Sequence, residues 1–273
     1  MVRINSNIAA LTADRNLTVV SDALSGSTQK LSSGLRINLA KDDSAGLVIS
    51  EKLRSQIRAT DQASRNAQDG VSLIQTADGA LDNVHAALQR IRELTVQAAN
   101  GTVNAAQRAD IGGEVTQLLD EIDRIATTTR YAQLTLFATS PSQQIRIQVG
   151  GSAGERLAIT FSDMQTSALG LGTYTIATPQ DANASIALVD AAIDQVTSQR
   201  AGLGGAQNAL EGLVKNLDQA AENLHASESR IRDLDVANET VAFTKWQVLS
   251  QAGTAVLAQA NVFPQSVLQL LRQ

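Results

Sequence analysis

Small and apolar residues recur along this chain at steps of three and four. The clearest run is Ile49, Leu53, Ile57, Thr60, Ala63, Ala67, Val71, Ile74, Ala77, Leu81, Val84, Leu88, Ile91, Thr95 and Ala98. Its mean step is about 3.5, the coiled-coil period rather than that of an isolated amphipathic helix. The spacing predicts one helix over this stretch, roughly 75 Å long at 1.5 Å per residue. Gly70 and Gly79 interrupt it, each at a cost of about 1 kcal/mol relative to Ala, and mark places where another backbone comes close. Asn100-Gly101 supplies a turn. Asn104 and Gln107 then have the spacing of a capping box, opening a second helix with the stripe Ile111, Val115, Leu118, Ile122 and Ile125. So short a connection implies that the second helix folds back antiparallel to the first.

Between about residues 138 and 178 the period changes to two. Ile145, Ile147 and Val149 alternate with polar residues, as do Leu157, Ile159 and Phe161, and GGSAGE lies between them. This predicts a β-hairpin or small sheet. After Pro179, Asp181 and Asn183 signal the start of another long helix. Its stripe is Ile186, Val189, Ile193, Val196, Arg200, Leu203, Gln207, Leu210, Leu213, Leu217, Ala220 and Leu224, and its natural partner is the first long helix.

The two ends carry weaker stripes: Ile4, Ile8, Leu11, Leu24, Leu31 and Leu35 at one, Val241, Val248, Ala252, Ala255 and Gln259 at the other. Each end has no internal partner except the other, and a lone helix pair is marginal in water. Such ends require either further subunits of an assembly or disorder, and heterologous contacts that do not close generate a helical filament. The expected fold is therefore mainly α: an elongated antiparallel helical coiled-coil bundle with a small β-hairpin region, the terminal helices pairing as a coiled coil. The expected domains are 1–43 plus 230–273, and 44–229 with the hairpin.

Composition supports thin helix seams. Of 273 residues only 3% are aromatic, and residues 1–130 contain no Phe, Tyr or Trp. The three prolines are Pro141, Pro179 and Pro264, so long stretches can continue as helix. The absence of cysteine excludes disulfides, thiolate metal sites and a cysteine nucleophile. A net charge of −5 argues against a nucleic-acid partner. No run of about 18 apolar residues indicates membrane insertion, and the polar start lacks the apolar stretch of a cleavable signal peptide.

Candidate chemistry is sparse. Gly150, Ser152 and Gly154 match the G-x-S-x-G string, but that motif needs a strand-to-helix turn and a partnered histidine, whereas here a second alternating segment follows. His85 and His225 lack the companions of a zinc site, and no phosphate-binding glycine motif occurs. These features predict no enzyme, cofactor or metal. Arg90, Arg92 and Glu93 in QRIRELTVQAAN form a dense charged patch: either a solvated face with local ion pairs, or a recognition surface anchored by Arg and Leu.

Three long segments, LSSGLRINLAKDDSAGLVISEKLRSQIR, SRNAQDGVSLIQTADGALDNVHAALQRIRELTVQAANGT and SRIRDLDVANETVAFTKWQVLSQAGTAVLAQAN, closely resemble bacterial flagellin. The resemblance covers roughly residues 1–135 and 180–273, with almost no middle insertion, as in a minimal flagellin without outer decorating domains. It implies a structural subunit of the flagellar filament, a self-assembling helical polymer for swimming motility. Residues 1–43 plus 230–273 would form the inner filament core and 44–229 the surrounding layer. Further implications are type III export as an unfolded chain and location in the extracellular filament. An export chaperone, a filament cap and hook-associated proteins are implied partners. A host Toll-like receptor would read a surface of Gln89, Arg90, Glu93, Leu94, Gln97 and Glu114. Leu234, Val236 and Trp246 depart from the usual pattern. The alternatives are a hook–filament junction protein, which shares flagellin-like ends, and an enzymatic flagellin, for which no metallopeptidase motif is present.

Overall fold

The structure is a computed structural model that describes residues 7–138 and 142–270, the last eight of these by backbone alone. Ile4 and Pro141 lie outside the described residues. In chain order the elements are α1 (Ile8–Ser33), α2 (Ser44–Ala99), α3 (Ala105–Thr128), β1 (Arg130–Tyr131), β2 (Leu134–Thr135), β3 (Gln143–Gln148), β4 (Arg156–Phe161), a 3-10 turn (Leu171–Thr173), α4 (Pro179–Arg232) and α5 (Val236–Leu270). The chain divides into two compact units: Arg58–Glu222, and Met1–Ile57 together with Asn223–Gln273.

In the 58–222 unit the 3.5-residue seam of α2 faces inward from Ile74 to Ala98, all of its members buried. They meet Val115, Ile122 and Ile125 of α3 and Val189, Val196, Leu203 and Leu210 of α4. The Asn104–Gln107 capping box forms as its spacing predicts: the Gln107 backbone N–H donates to Asn104 Oδ1 at 2.8 Å, and the Asn104 N–H donates to Gln107 Oε1 at 3.1 Å. α4 starts earlier than expected. Thr178 is its cap, exchanging bonds with Asp181, and Pro179 is its first residue, where the missing N–H costs nothing. Ile49, placed in the α2 seam by spacing alone, is exposed in the other unit.

β3 and β4 form the expected antiparallel hairpin, with Ile145 opposite Ile159 and Ile147 opposite Leu157. Two side-chain amides occupy its open edges: Asn66 of α2 donates to the Gln148 carbonyl at 3.0 Å, and Gln199 of α4 donates to the Thr160 carbonyl at 2.8 Å. Edge carbonyls left bare would invite pairing with another strand. Phe161 stacks edge-on against Phe137, centroids 6.0 Å apart. The short β1–β2 hairpin leading to Phe137 has no two-residue alternation long enough to read from the sequence.

Gly70 and Gly79 differ. A Cβ on Gly70 would lie 2.3 Å from Ile147 Cδ1 and 3.0 Å from Leu210 Cδ1, so side chains approach there rather than a backbone. A Cβ on Gly79 would meet nothing within 4 Å, which corrects the expectation of a close approach. The G-x-S-x-G string is the β3–β4 turn, with Gly154 at φ +99° and the Ser152 N–H donating to Glu155 Oε2 at 3.0 Å.

In the other unit, α1 and α5 pack antiparallel. Asn7 donates from its side chain to the Ala260 carbonyl at 2.8 Å, and a Cβ on Gly253 would lie 3.1 Å from Leu17 Cδ1. The inward positions of α1 are Ala10, Ala13, Leu17, Val20, Leu24, Ser27 and Leu31, an unbroken 3–4 alternation. Ile8 and Leu11, expected in this seam, point outward, while Leu24 and Leu31 keep their places.

Candidate assembly and recognition surfaces

The inward seam of α5 is Glu239, Ala242, Phe243, Trp246, Ser250, Gly253, Leu257 and Ala260. Val241, Val248, Ala252, Ala255 and Gln259, the stripe read from the sequence at this end, all lie on the opposite, exposed face. Val241 and Val248 are 70% and 64% exposed, and Val262 continues the same seven-residue repeat. α5 thus carries two coiled-coil seams about half a turn apart, of which one is covered by α1. A helix apolar on both sides is one that works buried. On α1, Ile8, Leu11 and Val19 are likewise exposed. In the inner seam Phe243, Trp246 and Leu257 are interleaved with small or polar members, so it forms no even apolar stripe in the sequence.

The two outer sequence motifs meet at the end of this pair. Gly34, at φ +70°, closes α1 by donating its N–H to the Lys30 carbonyl, and only a residue tolerant of the left-handed region suits that cap. The chain then bridges the α4–α5 connection: the Arg36 N–H donates to the Arg232 carbonyl at 2.7 Å and the Leu234 N–H to the Gly34 carbonyl at 3.0 Å. Arg232 donates to Glu51 at 2.7 Å, as does Arg54 at 3.0 Å. These two guanidinium hydrogen bonds hold the Glu51 carboxyl below the ordinary range. Asp42 accepts from the Leu39 and Asn38 N–H groups, and the Leu39 bond does most to lower its pKa. Its neighbour Asp43 caps α2 through the Gly46 N–H at 2.8 Å.

The second surface lies on the 58–222 unit, where α2 meets α3. Arg90 donates from Nε and Nη2 to Glu114 Oε1 at 3.0 and 2.7 Å, and from Nη1 to Glu93 at 3.1 Å. The three residues named from the sequence are brought together in one exposed ion-pair network, which solvent and salt screen. Gln89, Glu93 and Gln97 share a row along α2, four residues apart. Gln89 contacts His85 Nε2 at 2.9 Å, and Gln97 borders a recess of about 380 Å³ with Thr102, Val103, Gln107 and Asp110. Leu94 is only 2% exposed and packs in the core beneath this row, so it supports the surface without facing solvent. Among the described residues no helix is long and apolar enough to cross a membrane, and no cluster of potential metal ligands occurs.

Fold and surfaces together define a helical structural protein that acts through long helix faces. Residues 4–141 match the bacterial flagellin N-terminal helical region, and residues 186–271 match the bacterial flagellin C-terminal helical region. A flagellin of Halalkalibacterium halodurans is 48% identical over 98% of this chain and 99% of its own length. A flagellin of Bacillus subtilis is 46% identical over 99% and 100%, and the flagellar filament 31.3 kDa core protein of Treponema maltophilum is 43% identical over 98% and 99%. The crystal structure of Bacillus cereus flagellin matches with a TM-score of 0.50 at 35% identity, covering 60% of this chain and 94% of that one. A putative flagellar hook-associated protein from Vibrio parahaemolyticus reaches 0.61 over 70% of this chain and 100% of its own, but at 15% identity that likeness concerns the fold alone. The chain belongs to the bacterial flagellin family, and it is a structural subunit of the flagellar filament. The hook–filament junction alternative is not favoured.

Proposed function

We propose that the α1–α5 pair is the polymer-forming element, with residues 1–43 plus 230–273 as the inner filament core and 44–229 as the layer around it. The observation that carries this reading is the second, uncovered heptad seam of α5, which asks for a neighbouring copy. The α1–α5 pair is only marginally stable in the monomer and is stabilised as neighbouring copies cover the outer seam of α5. Export proceeds as an unfolded chain to an extracellular filament. A chaperone shields the C-terminal seam before assembly, and cap and hook-associated proteins meet the same faces at the ends of the polymer. The role needs no catalytic step. Deleting either terminus abolishes polymerisation while residues 44–229 stay folded. Electron microscopy with circular dichroism of the truncated chains tests this, and normal filaments from either truncation would refute it.

The Arg90 surface is the candidate site for a flagellin-sensing Toll-like receptor. Its exposed Arg90–Glu93–Glu114 network, continuous with Gln89 and Gln97, supports that reading. Reporter cells exposed to wild type, Arg90→Ala and Glu114→Ala should signal with the wild type and lose most of the response with either variant. Silence with the wild type would end the idea.

A further inference from the structure

The α2–α3 turn holds a reactive pair that neither assembly nor recognition uses. Asn100 is the only asparagine of the chain followed by glycine. It lies just past the last residue of α2, and Asn100, Gly101 and Thr102 are exposed and outside any helix. Three hydrogen bonds shape the turn: the Asn100 N–H donates to the Gln97 carbonyl at 3.2 Å, the Val103 N–H to the Asn100 carbonyl at 3.1 Å, and the Thr102 N–H to Asn100 Oδ1 at 3.1 Å. The Gly101 N–H takes part in none of them.

We infer that Asn100 is a self-modification site, at which the Gly101 amide nitrogen closes on the Asn100 side chain. The nucleophile is Gly101 N, free of any competing hydrogen bond and flanked by no side chain of its own. The electrophile is Asn100 Cγ, whose oxygen already accepts the Thr102 N–H. As the Gly101 amide loses its proton and attacks, negative charge develops on Oδ1, and that donor faces the developing charge. The new Gly101 N–Cγ bond forms, the Cγ–Nδ2 bond breaks, and ammonia leaves with Nδ2. Water then opens the five-membered imide at either carbonyl. One product is aspartate at position 100; the other is isoaspartate, with the main chain routed through the side-chain carbon. The sum is one water taken up and one ammonia released, with no oxidant, metal or second protein. Either product adds one negative charge directly after the last residue of α2, where the negative end of that helix's dipole disfavours it. The isoaspartate product also lengthens the main chain at the turn and removes the register of the Val103-to-Asn100 bond.

The test is incubation of the purified full chain at mildly alkaline pH, followed over time by peptide mapping with isoaspartate detection. Asn100 should be modified ahead of every other asparagine, and Gly101→Ala should slow it at least about tenfold, since a side chain there obstructs ring closure. The same chain in urea loses the Thr102 contact, so the native chain should react at least as fast as the unfolded one. Equal modification of Asn100 and the other asparagines, an unchanged rate in Gly101→Ala, or a native rate clearly below the urea rate would each overturn the inference.

Discussion

Single positions separate what the fold needs from what it tolerates. Gly79 sits in α2 with open space where a Cβ would go, so Gly79→Ala should raise stability by about 0.5–1 kcal/mol through helix propensity. Gly70→Ala places its methyl against Ile147 and Leu210, and should gain nothing or lose. Denaturant melts of the two variants decide the point, and equal stabilisation would contradict it. Tyr174 is the other diagnostic residue. Burial raises its phenol pKa, against the opposing effect of the 2.6 Å hydrogen bond with Thr95. An acid whose folded pKa is raised contributes stability that is complete below its unfolded value, near 10, and lost as pH rises through the folded value. The chain should therefore weaken in alkali, and Tyr174→Phe should flatten that part of the pH–stability profile. Glu51 and Asp42 have the opposite sign: their lowered carboxyls contribute at neutral pH and cease to do so as pH falls below about 4. NMR amide shifts of Asn38 and Leu39 report the Asp42 half of that change.

At the scale of elements, the interior of the 58–222 unit was readable, whereas the terminal pair was read from the wrong side. α2 packs on α3 and α4 within one chain, so its period, Ile74 through Ala98, coincides with burial. α5 meets α1 through Phe243, Trp246 and Leu257 interleaved with Ser250, Gly253 and Ala260, while its valines point away. Reading by hydropathy is biased toward an even apolar repeat, and Val241, Val248 and Val262 supply one on the outer face, whereas small and polar members interrupt the inner one. The same bias put Ile8 and Leu11 in the α1 seam. The Arg90 network was legible as residues and not as geometry: spacing gave the row on α2, but only the fold brought Glu114 to Arg90 and put Leu94 underneath. At this scale Leu17→Ala tests the α1–α5 seam. It should loosen the pair by about 2 kcal/mol, at the lower end of core truncations because Leu17 is only half-buried, and proteolysis of the termini should quicken. Unchanged protection would argue that the two helices do not rely on each other.

For the whole molecule, the two units divide the work. The 58–222 unit has a core of its own, including Leu88, Ile91, Phe137 and Phe161, whereas the terminal pair leaves a full apolar seam uncovered. Marginal pairs gain stability by mass action when partners bind, so amide exchange in α1 and α5 should be fast in the monomer and strongly slowed in the polymer, with little change across the 58–222 core. Strong terminal protection in the monomer would contradict ordering on assembly. The central claim, that the outer seam of α5 joins one subunit to the next, is tested most directly by electron microscopy of the full chain carrying Val241→Asp and Val248→Asp under polymerising conditions. Both positions are exposed in the single chain, so the variant should keep its helical circular dichroism and form no filaments. Filaments of normal length and number from that variant would contradict the account.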